Sequence, residues 1–161
     1  MTASRPLALF DLDGTLADTA HRRRFLERRP RDWRGFFDAA PADPALPRGV
    51  ALLRERAADH EIGYLTGRPE RCRADTVAWL ARQGLPEGTV WMRRDDDRRP
   101  ARTTKLEALR RIGRRRTVGV LVDDDALVCE AARRAGFTVV HADWSAPSGA
   151  LRDAQERQGR T

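Results

Sequence analysis

Short apolar runs alternate with longer amphipathic stretches along most of this chain, and the two patterns predict different elements. Compact apolar runs bounded by turn residues indicate strands. Stretches with apolar residues three or four positions apart indicate helices that bury one face. Strands are predicted at 7–13, 61–67, 89–94, 117–125 and 137–143, and helices at 20–29, 32–40, 48–60, 69–84, 103–113 and 126–136.

Two of the predicted helices carry more detailed expectations. In the helix at 69–84, Val77, Leu80 and Ala81 are spaced to form one buried face. The helix at 103–113 has a threonine available as its N-cap and a closing glycine at its end. We therefore expect both segments to be regular helices that pack against a sheet.

The order of the elements predicts the fold class. Strands separated by helix-length segments favour an α/β fold, in which a parallel sheet is flanked by helices on both faces. The runs TVGVLV and FTVVH lack polar alternation, as expected for strands that are buried on both sides. We predict a Rossmann-like parallel sheet in a domain over 1–144, with a small helical lid at about 19–46 and a polar C-terminal tail over 145–161.

Size and hydropathy narrow the class of protein. The chain has 161 residues, which suits one domain with a full core. No apolar stretch approaches the ~20 residues of a transmembrane helix, and the N-terminal run is too short and too acidic for a secretory signal. Cys72 and Cys129 lie outside any CxxC or Cys/His cluster, so we expect small buried or half-buried thiols in a reducing compartment. These features predict a cytoplasmic protein without a membrane partner.

The charge is strongly positive and almost entirely arginine. The net charge is +7, and all but one of the 31 Lys and Arg residues are Arg. A basic chain of this kind suggests a polyanionic partner such as nucleic acid. Arginines on solvated helix faces, in a chain with GC-rich codon usage, would give the same composition. The single lysine, Lys105, raises the separate question of whether one position requires an ammonium group.

Polar residues gather where three of the predicted strands end. The first strand ends with Asp11 and Asp13, the second contains Thr66, and the fourth ends with Asp123, Asp124 and Asp125. In open α/β sheets, ligands bind outside the carboxyl ends of the strands. Carboxylates crowded at that edge repel one another unless a cation lies between them, and hard oxygen ligands suit Mg²⁺. Helix capping by strand-end acids is the alternative, and it suits Asp125 best.

These stretches resemble the haloacid dehalogenase (HAD) superfamily. FDLDGTLAD resembles its motif I, YLTGR its motif II, Lys105 at a helix start its motif III, and LVDDD its motif IV. The segment from 32 to 86 and the loop WMRRDDDRRP are similar to the phosphatase half of phage-type polynucleotide kinase/phosphatase and its stand-alone bacterial relatives. No GxxxxGK[ST] kinase motif occurs in the chain, so a kinase or ligase activity would belong to a separate partner.

The resemblance implies a mechanism and a set of residues for it. Asp11 is expected to attack phosphorus and form an aspartyl-phosphate, and Asp13 to act as general acid and base. Thr66 is expected to donate a hydrogen bond to a phosphoryl oxygen, and Lys105 to pair with Asp11 and the phosphoryl group. The expected Mg²⁺ ligands are Asp11, Asp13 through its backbone carbonyl, Asp123 and Asp124.

The substrate is less sharply defined by the sequence. Arg22, Gly67 and Arg68 are placed like substrate-contacting residues of the phage phosphatases, although Arg23 or Arg24 could replace Arg22. The leading hypothesis is a Mg²⁺-dependent phosphatase acting on 3′-phosphate ends of RNA or DNA. The alternatives are a phosphatase of nucleotides or other small phosphate esters, and a non-catalytic nucleic-acid-binding module. Three aromatic residues in the lid could stack on a base, but a core role is favoured for them: Trp33, Phe36 and Phe37.

Overall fold

A five-stranded parallel sheet organises the molecule. The computed structural model describes residues 4–146, 148–159 and 161. The strands are β1 (Leu7–Phe10), β2 (Glu61–Pro69), β3 (Val90–Arg93), β4 (Val118–Asp123) and β5 (Val139–His141). Their order across the sheet is β3-β2-β1-β4-β5, and every neighbouring pair is parallel. The sheet therefore places β1 at the centre, with β2 and β4 on its two sides.

Helices cover both faces of the sheet. Helices α3 (Pro47–Arg56) and α4 (Arg73–Arg82) pack on one face, and helices α5 (Ala101–Gly113) and α6 (Ala126–Arg134) on the other. The alternation of β1 side chains explains the two layers, because successive residues of a strand point to opposite faces. Ala8 and Phe10 enter the first core, whereas Leu7 and Leu9 enter the second. The predicted α/β class is confirmed.

The predicted buried face of α4 is wrong, because the structure buries a face that is rotated from it by part of a helical turn. Thr76, Trp79 and Leu80 are the buried residues of this helix, whereas Val77 is 47% exposed. Trp79 decides the orientation, since it fills the core and its indole N–H donates to the backbone carbonyl of Asp43 at 2.9 Å. The largest apolar side chain buries the most surface, so it prevails over the spacing of the smaller residues.

The predicted threonine cap of α5 is also wrong. The helix begins at Ala101, and Pro100 precedes it without any side-chain capping bond. The backbone carbonyl of Pro100 accepts from the N–H groups of Thr103 and Thr104, at 3.0 and 3.2 Å. Pro100 occupies the N-cap position with an extended ψ of 146°, so both threonines fall inside the first turn of the helix.

A compact helical segment lies between β1 and α3. It contains two short helices, α1 (Arg24–Glu27) and α2 (Trp33–Asp38), with 3-10 turns at Ala20–Arg22 and Ala40–Ala42. Leu26, Phe36 and Phe37 form a third core. The lid aromatics Phe36 and Phe37 are therefore buried in the core, as favoured from the sequence.

The C-terminal segment packs against this lid. Helix α7 (Gly149–Asp153) is followed by a π-helical turn at Ala154–Gln158. Leu151 and Ala154 are buried in the same core as the lid residues. The lid and the C-terminal segment thus form one layer above the carboxyl edge of the sheet. Among the described residues, none of the helices combines the length and the apolar character needed to cross a membrane.

Candidate active site

The carboxyl edge of the sheet gathers the residues singled out in the sequence. Asp11 follows β1, and its backbone N–H still donates to the carbonyl of Val122 in β4 at 2.9 Å. Asp123 ends β4, and Thr66 lies within β2. Because β2 and β4 flank β1, their side chains meet above the central strand. The predicted convergence of motifs from distant parts of the chain is present in the structure.

Three carboxylates form a cluster at this edge. Oxygen atoms of Asp11, Asp123 and Asp124 all lie within 4.8 Å of one another. Burial and the neighbouring negative charges raise the pKa of Asp123 to about 6 and that of Asp124 well above its usual range. The Oδ1 atom of Asp124 is buried and has no hydrogen-bond partner among the described residues. The cluster therefore has the oxygen donors, the excess negative charge and the unsatisfied acceptor of a cation site.

Asp125 has a different role from its two neighbours. Its carboxylate is the N-cap of α6 and accepts from the backbone N–H groups of Leu127 and Val128, at 2.9 and 3.5 Å. Its own N–H donates to Asp123 Oδ1 at 2.9 Å. The interpretation of Asp125 as a helix-start residue is confirmed, and its N–H helps to orient the acid at the end of β4.

The single lysine of the chain lies inside the carboxylate cluster. Lys105 is buried in the first turns of α5, with Nζ 2.6 Å from Asp123 Oδ2 and 3.1 Å from Asp11 Oδ1. Burial alone would lower its pKa, but the two carboxylates outweigh burial and raise the pKa above the usual value. Lys105 is therefore a fixed cation. Burial also raises the pKa of Asp11, and the Lys105 charge opposes that rise.

Asp13 lies in a second charged network, away from the cluster. Its Oδ1 accepts from Arg22 Nη2 and Arg68 Nη2, both at 2.6 Å, and from Arg68 Nε at 3.0 Å. Burial opposes ionisation, but the two guanidinium groups outweigh it and hold the pKa of Asp13 below its usual range. The side chain of Asp13 is thus an ionised carboxylate that does not belong to the three-carboxylate cluster. Its predicted contribution to the metal is through the backbone carbonyl only.

Asp43 completes this network and was not identified from the sequence. Its carboxylate accepts from Arg22 Nε and Nη2, both at 2.8 Å, and lies 3.2 Å from Arg68 Nη2. Sequence reasoning missed it because an acid in a proline-rich loop is explained equally well by turn chemistry. Asp43 fixes the two buried arginines in place, because both guanidinium groups bridge it to Asp13.

The three neighbouring arginines of the lid make different contacts. Arg22 is fully buried, and its guanidinium group also lies over the ring of Phe36, 4.3 Å from the centroid. Arg23 instead donates to the carbonyl of Ala146 at 2.8 Å, and Arg24 lies over the ring of Phe25. Of the three neighbouring arginines, Arg22 is the one that contacts Asp13, whereas Arg23 lines a cavity of about 520 Å³ together with Asp124.

Thr66 and Gly67 lie beside the arginine network. The Thr66 hydroxyl accepts from the N–H of Arg68 at 3.1 Å, so its proton remains available for donation. The carbonyl of Gly67 accepts from Arg93 Nε at 3.2 Å. A side chain at position 67 would overlap the backbone of Thr161, which lies directly against it. The hydroxyl of Thr161 also reaches Asp13 Oδ2, at 3.4 Å, so the end of the described C-terminal segment covers part of the site.

Arg93, at the end of β3, is a second residue that the sequence did not single out. It is buried and donates to backbone carbonyls, including that of Arg99 at 2.8 Å. Burial lowers its pKa to about 10. Within the described residues it forms no ion pair with a carboxylate, although Asp97 lies on the same loop. Asp97 instead pairs with Arg99 at 2.7 Å.

The comparison with known families decides the classification. The model of the polynucleotide kinase PNKP phosphatase domain matches residues 6–145, which is most of the chain. The chain belongs to the PNKP phosphatase-domain family. It is therefore a HAD phosphatase of the PNKP type, and the matched residues include those gathered at the sheet edge. A search of curated protein sequences gave no match.

Solved structures agree with the fold of a PNKP-type phosphatase domain. A chain of the Pnkp1/Rnl/Hen1 complex aligns with a TM-score of 0.72 at 20% identity, over 91% of this chain and 49% of that one. A class C acid phosphatase from Bacillus anthracis aligns with a TM-score of 0.65 at 14% identity, over 95% and 78% of the two chains. A haloacid dehalogenase-like hydrolase from Streptococcus pneumoniae aligns at 0.61 and 14%, over 97% and 93%. The protein thus spans about half the length of the Pnkp1/Rnl/Hen1 chain.

Proposed function

We propose that this PNKP-type phosphatase domain is a Mg²⁺-dependent phosphomonoester hydrolase that removes 3′-phosphates from polynucleotide ends. The observation that carries the proposal is the arrangement around Asp11. This nucleophile candidate is one of three clustered carboxylates, it lies 3.1 Å from the buried ammonium group of Lys105, and a network of two buried arginines lies beside it. Uncatalysed phosphate monoester hydrolysis is very slow, and these groups supply a nucleophile, charge compensation and a proton carrier.

The three-carboxylate cluster fits a hard divalent cation. Asp11, Asp123 and Asp124 offer oxygen ligands, and the unpartnered Asp124 Oδ1 gives one of them an unsatisfied acceptor. A bound Mg²⁺ would supply charge neutralisation for the attacking carboxylate and the phosphoryl oxygens. Nucleophilic attack, hydrogen bonding to the phosphoryl group and proton transfer are assigned to side chains of the protein.

Asp11 acts as the nucleophile in the proposed reaction. Its carboxylate oxygen bonds to phosphorus while the bond from phosphorus to the ester oxygen breaks, which gives an aspartyl-phosphate and an alcohol. Lys105 favours the ionised form of Asp11, because its positive charge opposes the rise in pKa that burial causes at that carboxyl. Thr66 donates its free hydroxyl proton to a phosphoryl oxygen.

Asp13 carries the proton in both halves of the reaction. When a phosphoryl group engages Arg22 and Arg68, Asp13 loses two cationic partners and faces an anion, so its pKa rises and it takes up a proton. Asp13 then donates that proton to the leaving alkoxide. In the second half it removes a proton from water, which attacks phosphorus, releases phosphate and regenerates Asp11.

The polynucleotide assignment rests on the family match and the charge of the chain. The matching family is that of PNKP phosphatase domains, and the net charge of +7 favours a polyanionic substrate. A kinase or ligase partner is part of the same proposal, because a related chain is found in the Pnkp1/Rnl/Hen1 complex. A phosphatase of nucleotides or other small esters is the second candidate, since the charged groups at Asp11 and Asp13 require only a phosphate monoester.

Two measurements test the proposed function. We expect phosphate release from an aryl phosphate and from a 3′-phosphorylated oligonucleotide, both dependent on Mg²⁺ and both abolished by Asp11→Asn. Equal kcat/KM for the oligonucleotide and a 3′-mononucleotide, without dependence on salt, would favour the small-ester alternative. No turnover of any phosphate ester by the folded protein with Mg²⁺ would leave only the non-catalytic binding module.

A further inference from the structure

A groove on the outer side of α5 is not used by the chemistry described above. It has a volume of about 530 Å³ and lies between α5 and α6. Its α5 wall carries four arginines with a leucine and a glutamate between them: Arg102, Arg110, Arg111, Arg114, Leu106 and Glu107. With a rise of about 1.5 Å per residue, the wall from Arg102 to Arg114 is about 18 Å long. We call this feature the α5 groove.

Three arginines of the α5 groove have no counter-charge. Arg110, Arg111 and Arg114 are exposed, and their side chains form no hydrogen bond or ion pair within the part of the chain that the structure describes. The glutamate of the groove, Glu107, is already paired with Arg99 at 2.7 Å. Like charges three and four residues apart on a helix destabilise it. This row therefore favours a bound anion that relieves the repulsion.

The α5 groove lies next to a cavity that borders two residues of the active site. A small cavity of about 70 Å³ is lined by Thr66 and Lys105, and its wall also includes Glu107 and Arg111. The same two residues, Glu107 and Arg111, line the α5 groove. Because α5 begins at the carboxyl edge of the sheet, the groove leads from that edge along the outside of the molecule.

From this placement we infer that the α5 groove binds the phosphodiester backbone of a single-stranded polynucleotide whose 3′-phosphate lies at Asp11. The inference rests on the proposed function and identifies where the rest of its substrate lies. Guanidinium groups bind phosphate through two parallel hydrogen bonds, so a row of free arginines matches a row of phosphates. An acidic peptide is disfavoured, because peptide docking relies on apolar anchors and Leu106 is the main apolar side chain here.

A matched pair of double variants tests this inference. Arg110→Gln with Arg114→Gln removes two charges from the part of the α5 groove that lies outside the small active-site cavity. The control, Arg54→Gln with Arg115→Gln, removes two exposed charges that lie outside the groove, one on α3 and one just after α5. Both are assayed with a 3′-phosphorylated single-stranded oligonucleotide of a dozen nucleotides and with an aryl phosphate, over a range of salt concentrations.

The groove variant should lose activity only on the longer substrate. We expect kcat/KM for the oligonucleotide to fall about 10-fold at low salt, while turnover of the aryl phosphate stays at the wild-type value. The slope of log kcat/KM against log salt should become shallower by about 1.4, since each phosphate contact contributes about 0.7 for a single strand. The control variant should match the wild type with both substrates. An equal loss in the two variants would overturn the inference, because it would show a general effect of net charge.

Direct binding separates a failure of the groove from a failure of the proposed function. The affinity for a labelled 3′-hydroxyl oligonucleotide, measured by fluorescence anisotropy, requires no turnover. Weaker binding by the groove variant than by the control supports the α5 groove even if the 3′-phosphate is not the natural substrate. Equal binding by both variants, or stronger competition by polyglutamate than by an unlabelled oligonucleotide, would rule the groove out as a polynucleotide site.

Discussion

At the scale of single residues, the site depends on side chains whose charge is fixed by their neighbours. Lys105 is one lysine among thirty arginines, and it lies where a compact cation must touch two carboxylates at once. An ammonium group is a point charge with rotatable donors, whereas a guanidinium is a wide planar fork. The sequence predicted the pairing of Lys105 with Asp11 because the residue matches a motif position. The contact of Lys105 with Asp123 could not be predicted in the same way, because it depends on the position of β4 beside β1 in the sheet.

We predict that Lys105→Arg will lower kcat by at least about 100-fold, a loss typical of removing one preorganised donor from an active site. The physical reason is that the fork cannot occupy the enclosed space between Asp11 and Asp123 without moving one of them. Steady-state kinetics with an aryl phosphate measures the effect. Arg54→Lys, on exposed surface, is the control and should leave kcat unchanged. Activity close to that of the wild type in Lys105→Arg would show that charge alone suffices.

A pH dependence of stability follows from the carboxylate cluster. The pKa of Asp123 is raised to about 6 in the folded protein, against about 3.9 in an unfolded chain. Between these values the folded state binds more protons, so stability falls as pH rises through that window. We predict that the metal-free protein is more stable near pH 5 than near pH 7, by roughly 1 kcal/mol. Below about pH 4 the trend should reverse, because the pKa of Asp13 is lowered and protonation breaks its ion pairs.

Thermal melting with and without Mg²⁺ checks this prediction. At pH 7 a divalent cation should raise the melting temperature, because it relieves the same repulsion that a proton relieves at pH 5. Its effect should be smaller at pH 5, where protons compete for the carboxylates. A melting temperature independent of both pH and Mg²⁺ between pH 5 and 7 would contradict the arrangement described for the cluster.

At the scale of elements, the pattern of apolar residues predicted the existence of the helices better than their orientation. In α4 the spacing of Val77, Leu80 and Ala81 suggested one face, and the structure buries Thr76, Trp79 and Leu80 instead. Leu80 belongs to both the predicted and the observed buried face. Which face is buried depends on where the Trp79 ring finds space in the core and its indole N–H finds a hydrogen-bond acceptor. That information comes from the lid loop, which is distant in sequence. The start of α5 differs from the prediction for a local reason, since Pro100 rather than a threonine occupies its N-cap position.

The two faces of α4 can be distinguished by a pair of truncations. Leu80→Ala should lower the free energy of unfolding by about 2–4 kcal/mol, because a buried leucine leaves a cavity. Val77→Ala should change it by less than about 0.5 kcal/mol, because this side chain is half exposed. Chemical denaturation of both variants gives the comparison. A larger loss for Val77→Ala than for Leu80→Ala would restore the face expected from the sequence.

At the scale of the whole molecule, sheet order assembles the site, and the lid and C-terminal segment cover it. The α/β class and the convergence of three strand ends could be predicted, because parallel strands share one carboxyl edge. The position of Asp43 and the packing of Leu151 against the lid could not. Both depend on contacts between segments that are far apart in the chain, and neither leaves a periodic or motif signal. The division of the chain between residues 144 and 145 remains a prediction.

We predict that Leu151→Asp will release the C-terminal segment from the lid without unfolding the sheet. A charge placed among Leu26, Phe36 and Phe37 removes the apolar contact that holds α7. Hydrogen exchange should increase over 149–158, while β1 and β4 keep their protection. Arg152→Asp, which changes an exposed position on the same helix, should leave the exchange pattern unchanged. Loss of protection throughout the sheet would instead mean that the C-terminal segment is part of the folding core.

The charges around Lys105 also impose an order of events. When ionised, the three clustered carboxylates exceed the single ammonium by two negative charges, and the arginines beside them are balanced by Asp13 and Asp43. A phosphate dianion that approaches this pocket is repelled until a divalent cation compensates the excess negative charge. Phosphate binding to the protein should therefore be undetectable in equilibrium dialysis with chelator, and measurable once Mg²⁺ is supplied. With Lys105 alone to offset them, three ionised carboxylates keep two uncompensated negative charges, which one divalent cation would neutralise.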